Sequence, residues 1–211
     1  IFVDKTISSN CTNALYSPDK RTCDTGHFRA YKTVQPAINS MNIGDMILLR
    51  GGTYQEVRII IPVSTNGSSW TQGRFNPIRS YKNEWAILDG QHSIKHDGNF
   101  LYDFVLGGGA IAYWKIERLE IMGGESFEGA DASACAIYWN GGPITISYCN
   151  IHDNYVTDSI PQRKNNNPAG IIAYTPTSSI IEYCYFKKNA AYNGGTNNPH
   201  VYFFTDHDYV S

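Results

Sequence analysis

Apolar and polar residues alternate in a phrase that recurs three times in the second half of the chain. The copies are Trp114-Lys-Ile-Glu-Arg-Leu-Glu-Ile-Met-Gly-Gly124, Ile144-Thr-Ile-Ser-Tyr-Cys-Asn-Ile-His-Asp-Asn154 and Ser179-Ile-Ile-Glu-Tyr-Cys-Tyr-Phe-Lys-Lys-Asn189. Ile144, Ile146, Tyr148 and Ile151 alternate around Thr145, Ser147 and Asn150, which predicts one strand with one buried face per copy. Aligned, the copies place Leu119, Cys149 and Cys184 in one column, 30 and 35 residues apart. Repeats of about 20 to 50 residues signal solenoids or propellers, and a strand-rich unit ending in an Asn turn predicts a β-helix.

Upstream, residues 1 to about 29 read as an opening strand and an irregular loop. Val34, Ala37, Ile38 and Met41 have helical spacing, so Thr33 to Met41 is predicted to be a short helix with Thr33 as N-cap and Pro36 in its first turn. Such a helix is expected to cover the open end of the solenoid and its strand edges. Strands are predicted at Met46 to Arg50, Val57 to Val63, Pro77 to Tyr81 and Trp85 to Gly90, separated by turns rich in Gly, Asn and Ser.

The 211 residues, 42% hydrophobic and 17% charged, suit one domain with a long continuous core. Residues 1–43 form its N-terminal strand, loop and capping helix, and 44–211 its coils. The net charge of −2 leaves no electrostatic footprint for nucleic acid. No apolar run approaches the ~18 residues a membrane span needs. The chain opens on Ile1 and runs directly into Ile-Phe-Val-Asp, a start expected of a processed secreted protein, located outside the cell or on its surface. Asn10-Cys11-Thr12 and Asn66-Gly67-Ser68 are glycosylation-type triplets, making Asn10 and Asn66 candidate acceptors.

Cys11 and Cys23 bracket a polar loop with little core to hold it, and a disulfide between them would restrict the unfolded loop. Cys149 and Cys184 replace Leu119 in its column and are expected to be small core residues, as is Cys135. No Cys or His spacing suggests zinc.

Four stretches carry a family likeness: Tyr31-Lys-Thr-Val-Gln-Pro-Ala-Ile38, Gly44-Asp-Met-Ile-Leu-Leu-Arg-Gly-Gly-Thr-Tyr54, Asn76-Pro-Ile-Arg-Ser-Tyr81 and Ile87-Leu-Asp-Gly90. Together they resemble the N-terminal portion of secreted right-handed parallel β-helix proteins of the pectate-lyase-like superfamily. The later copies, ending at His152-Asp153-Asn154 and Lys188-Asn189, resemble that superfamily's ordinary coils. The resemblance implies a right-handed parallel β-helix with a short N-terminal capping helix. It is specific for fold more than for function, because the matched residues are turns and core positions.

Long loops follow the three copies, at 125–134, 155–169 and 190–200, and stacked coils about 4.8 Å apart would align them as one wall of a groove. Cleavage of an acidic polysaccharide by β-elimination needs positive charge on the uronate carboxyl and a base for the adjacent proton. Glu125, Glu128, Asp131, Asp153 and Asp158 are the candidate ligands for a Ca²⁺ ion, and Arg163 and Lys164 the candidate bases. Tyr138, Trp139, Tyr155 and Tyr192 are candidates for stacking on sugars, with His200 at the end of the third loop. Against this stands a plainer reading: loop carboxylates and an Arg-Lys pair are commonly solvated loop tips, His152 an exposed strand-end residue, and Asn154 and Asn189 turn residues in left-handed conformation. Asp206-His207-Asp208 has no partner geometry to support it.

The expected function is extracellular engagement of carbohydrate, most concretely a polysaccharide lyase acting on an acidic glycan. The alternative is a structural or adhesive solenoid without catalysis. Matching Tyr174 to Phe204 places Val210 opposite Ile180, so a strand is expected to begin at the chain's last residues, its edge open to self-association or a filament contact.

Overall fold

Each copy of the repeated phrase folds as two strands rather than one. In the first copy Arg118 separates Trp114–Glu117 from Leu119–Met122, and the other copies break at Tyr148-Cys149 and Tyr183-Cys184. Arg118, Tyr148 and Tyr183 take left-handed φ angles of 52°, 54° and 53°. The buried positions Trp114, Ile116, Leu119 and Ile121 explain the bend. Their step of two becomes a step of three across Arg118, and only a corner there keeps both strands facing the same interior.

The computed structural model describes residues 1–94, 103–125, 134–156, 169–174, 176–191 and 201–204. Within them the chain is an all-β solenoid whose successive passes each lay one strand on each of three parallel sheets. The first face carries Ile47–Leu49, Asn76–Ser80, Trp114–Glu117, Ile144–Ser147 and Ile180–Glu182, and the second Gly52–Gln55, Ala86–Asp89, Leu119–Met122, Asn150–His152 and Tyr185–Lys187. The third carries Ile59–Ile60, Asp103–Ala110, Ala134–Asn140, Ala169–Tyr174 and Val201–Phe204. The expected strand over Val57 to Val63 is therefore only two residues long, and the chain then makes a 3-10 turn at Val63–Thr65.

Register stacks like on like. Ile47, Ile78, Ile116, Ile146 and Ile181 form an inner column on the first face, and Ile59, Leu106, Ile137, Ile171 and Val201 one on the third. Burying each such side chain contributes about 1.5–3 kcal/mol. Glu120 pairs with Asn150 and Asn150 with Tyr185, so Leu119, Cys149 and Cys184 do stand in one column. Leu119 and Cys149 are buried, while Cys184 is half-buried against the same core. Cys135 lies elsewhere, in a separate cluster with Phe104, Tyr138 and Ile172 on the third face.

At the N-terminal end Phe2–Val3 pairs with both Phe28–Tyr31 and Ile47–Leu49, and Cys11–Tyr16 adds an antiparallel strand. The Cys11–Cys23 disulfide ties the loop as expected, with Cα atoms 5.7 Å apart. The helix spans Val34–Asn39, and Val34, Ala37 and Ile38 join the main core. Thr33 holds the N-cap position without a side-chain bond. The Glu56 carboxylate accepts the N–H groups of Val34 and Gln35 instead, the latter at 3.0 Å. A charged acceptor from the first coil supersedes the hydroxyl the sequence offers.

A second corner joins the second and third faces. Its left-handed residues are Gly123, Asp153 and Lys188, not the asparagines that follow them. Asn154 and Asn189 point inward as a buried ladder. Asn154 Oδ1 accepts the Gly124 N–H at 2.9 Å, Asn154 Nδ2 donates to Asn189 Oδ1 at 2.9 Å, and Asn189 Nδ2 donates to the Ile151 carbonyl at 2.9 Å. Gly124 heads the ladder because a Cβ there would lie 2.9 Å from Asn154 Oδ1 and 2.6 Å from the Cys135 carbonyl.

Candidate functional site

Gly52 pairs with Ala86 and Ala86 with Leu119, so the residues just before them fall in one column at the first corner: Trp85, Arg118, Tyr148 and Tyr183. A left-handed corner residue turns its side chain away from the core, and large side chains there carry a conformational cost of ~1–2 kcal/mol. Arg118, Tyr148 and Tyr183 are the left-handed ones, and Tyr148 and Tyr183 are exposed, as is Trp85, with Tyr183 exposed to 72%. The Tyr148 and Tyr183 rings stack 4.9 Å apart at 11°. With Tyr185, Arg118, Cys149 and Asn150, these residues line a hollow of about 460 Å³.

Polar groups in and beside the hollow are of two kinds. Asn150 Oδ1 is buried and accepts no hydrogen bond among the described residues. Arg118 donates to the Lys82 carbonyl and makes no salt bridge among the described residues. Alongside, a relay is fully engaged. Trp85 Nε1 donates to Glu120 Oε2 at 2.9 Å, Glu120 Oε1 lies 3.0 Å from His152 Nε2, and His152 Nδ1 lies 2.7 Å from Asp153 Oδ2. His152 is thus half-buried and paired, not a free strand-end residue.

Of the described residues expected to form the groove, Glu125 and Tyr155 meet at His92, whereas Tyr138, Trp139 and Asp153 lie in other surroundings. Trp139 is fully buried in the main core and offers no face to a ligand. Its inward place follows from the register, which sets it level with Gly108 and Ala173. Tyr138 is buried in the third-face cluster, and burial pushes its phenol up to about 12. Tyr155 stacks on His92 with centroids 4.4 Å apart. Glu125 is buried, its carboxylate 3.2 Å from His92 Nδ1, while Asp153 faces His152 and lies 3.9 Å from Lys188 Nζ. Ca²⁺ takes about six to eight oxygen ligands, whereas Glu125 and Asp153 each face a histidine. Among the described residues no group of three His, Cys, Asp or Glu side chains is arranged to hold a metal. Glu128, Asp131, Asp158, Arg163, Lys164, Tyr192, His200 and the Asp206-His207-Asp208 cluster lie outside the described residues, as do Tyr209 to Ser211.

Of the two triplets, Asn10 is exposed, its side-chain oxygen accepting the Lys32 N–H. Asn66 instead bridges to the neighbouring coil, donating to the Ala110 carbonyl at 2.6 Å and accepting the Ala112 N–H at 2.9 Å.

Alternation puts Tyr148 on the buried face of its strand, but it stands exposed at the corner because its left-handed φ turns the side chain outward; Trp85, Arg118, Glu120, Tyr183 and Tyr185 carry no site expectation from the sequence. The usable signal was the residue immediately before Leu119, Cys149 and Cys184, where the alternation skips. No protein-family model matches this chain, and no curated protein or solved structure matches it. Among the described residues no helix is long and apolar enough to cross a membrane.

Proposed function

We propose that this protein engages an acidic saccharide at the first corner. The observation that carries the reading is the Trp85–Arg118–Tyr148–Tyr183 column, in which exposed aromatic rings and a guanidinium without a salt bridge among the described residues surround one hollow. Pyranose C–H faces pack on aromatic rings, and Arg118 suits a uronate carboxylate. The column also runs along the solenoid axis, so a chain of sugars can follow it.

Titration calorimetry with oligomers of polygalacturonate and alginate, and with a neutral glucan, tests this reading. Binding of a uronate oligomer that weakens in Arg118→Ala and Tyr148→Ala is expected. Absence of binding throughout, or binding indifferent to both changes, contradicts it. Cleavage by β-elimination, with Arg163 or Lys164 as base and Ca²⁺ as counter-charge, is a further step of the same proposal. Absorbance of unsaturated uronate, with and without Ca²⁺, reads it out separately.

A structural solenoid is the second reading. Among the described residues Ile180–Glu182, Tyr185–Lys187 and Val201–Phe204 stand last in their sheets, and their edges suit parallel pairing with another copy. Sedimentation velocity across a concentration series that shows only monomer would remove it.

A further inference from the structure

Two thiols stand on successive rungs of the second face. Cys149 and Cys184 occupy consecutive positions of one column, and neighbouring strands lie about 4.8 Å apart, within the Cα separation of about 4.4–6.8 Å that a disulfide spans. The strand that follows ties the two positions together, the Tyr185 N–H donating to the Cys149 carbonyl at 2.8 Å. Both thiols also reach main-chain carbonyls: Cys149 those of Ile116 and Ser147, Cys184 those of Ile146 and Glu182. Cys184 is half-buried and immediately precedes Tyr185–Lys187, the last strand of its sheet among the described residues. Cys149 lines the aromatic hollow.

We propose that Cys149 and Cys184 are a redox-active pair that closes to a disulfide by exchange with a small disulfide such as oxidised glutathione, stapling two successive passes of the solenoid behind the aromatic corner. Cys184 is the attacking thiol. Its thiolate strikes one sulfur of the small disulfide and expels a thiolate that takes up the Cys184 proton. Cys149 then transfers its proton to the second leaving thiolate as its sulfur attacks Cys184 Sγ. Two protein thiols are oxidised and one small disulfide is reduced to two thiols. The neighbouring Cys149 thiol pulls the Cys184 thiol down to about 7 despite partial burial, and the Cys184 neighbour together with burial pushes the Cys149 thiol up. The order of attack follows from that asymmetry.

The test is a thiol count and a non-reducing peptide map of the whole protein after incubation with oxidised glutathione. Of the three free cysteines, Cys135, Cys149 and Cys184, two are expected to disappear, with one cross-linked peptide pair joining Cys149 to Cys184. Cys149→Ser is expected to trap glutathione on Cys184, and Cys135→Ser to close the bridge as the wild type does. Three titratable thiols after oxidation, a persistent wild-type glutathione adduct at Cys184, or a bridge that uses Cys135 would each overturn the proposal. The wild-type map decides the matter even where a variant fails to fold.

Discussion

Asn154 donates from its side-chain nitrogen to the side-chain oxygen of Asn189 at 2.9 Å, one pass further along and fully inside the protein. This amide ladder fixes the height of successive coils at the second corner, because each amide also holds a main-chain group of the preceding pass. Asn154→Ala leaves the Gly124 N–H without its buried partner, while Asn189 Oδ1 keeps only the main-chain N–H of residue 154 at 3.3 Å. At about 1–3 kcal/mol for an unsatisfied buried group, a loss of ~1–3 kcal/mol is expected. Urea unfolding measures it, and Asn154→Asp is expected to be no milder, since an ionised carboxylate cannot donate to Asn189.

Asp4 is the hub of the N-terminal end. It is buried, and its carboxylate accepts from Arg21 at 2.6 and 2.9 Å and from Tyr16 at 2.6 Å, with Thr6 at 2.7 and 3.0 Å. Burial alone would raise its pKa, but the bonds from Arg21, Tyr16 and Thr6 outweigh it and hold the carboxyl well below the usual range. A depressed folded-state value means that this stabilisation is complete above the unfolded value of about 3.9 and is lost as the pH falls below it. Urea midpoints of the wild type should fall steeply below about pH 4, and Asp4→Asn should start lower by ~3 kcal/mol and show a shallower acid slope.

Glu56 caps a helix to which it does not belong. Glu56→Ala should cost about 1–2 kcal/mol, the range for losing an N-cap acceptor. Restoring a serine at Thr33 should recover little, because the extended backbone there already places a hydroxyl that makes no bond. Thermal melts of the single and double variants give the comparison.

The corner aromatics are exposed, so their removal should separate binding from stability. Trp85→Ala and Tyr148→Ala are each expected to weaken uronate oligomers about tenfold, equivalent to ~1.4 kcal/mol, while unfolding stability changes by less than ~0.5 kcal/mol. Arg118→Ala should lower affinity for the acidic oligomer more than for a neutral one. Calorimetry and denaturation on the same protein samples check both halves.

The strand columns were legible because alternation and repeat spacing together leave one register: Ile116, Ile146 and Ile181 coincide in both. The corners were less so. A strand with uniform alternation and a pair of strands with a one-residue corner differ only in the step from Ile116 to Leu119, which is a single skipped position. Asn154 and Asn189 looked like left-handed turn residues because Asn favours that conformation. The backbone turn falls one residue earlier, at Asp153 and Lys188, and frees the amides to point inward. Trp139 looked like a ligand platform because composition cannot tell an inward aromatic from an outward one. Its partners Gly108 and Ala173 are small, and that room inside the third face is visible only once the passes are set side by side.

Methyl–methyl nuclear Overhauser effects in isoleucine-labelled protein test the stacked register most directly. Ile78, Ile116 and Ile146 occupy one inner column on consecutive passes. Cross-peaks are expected between Ile78 and Ile116 and between Ile116 and Ile146, with none between Ile78 and Ile146, which are two strand spacings, about 9.6 Å, apart. A direct Ile78–Ile146 contact, or the absence of both neighbour contacts in the folded protein, would contradict the register and with it the column of Trp85, Arg118, Tyr148 and Tyr183.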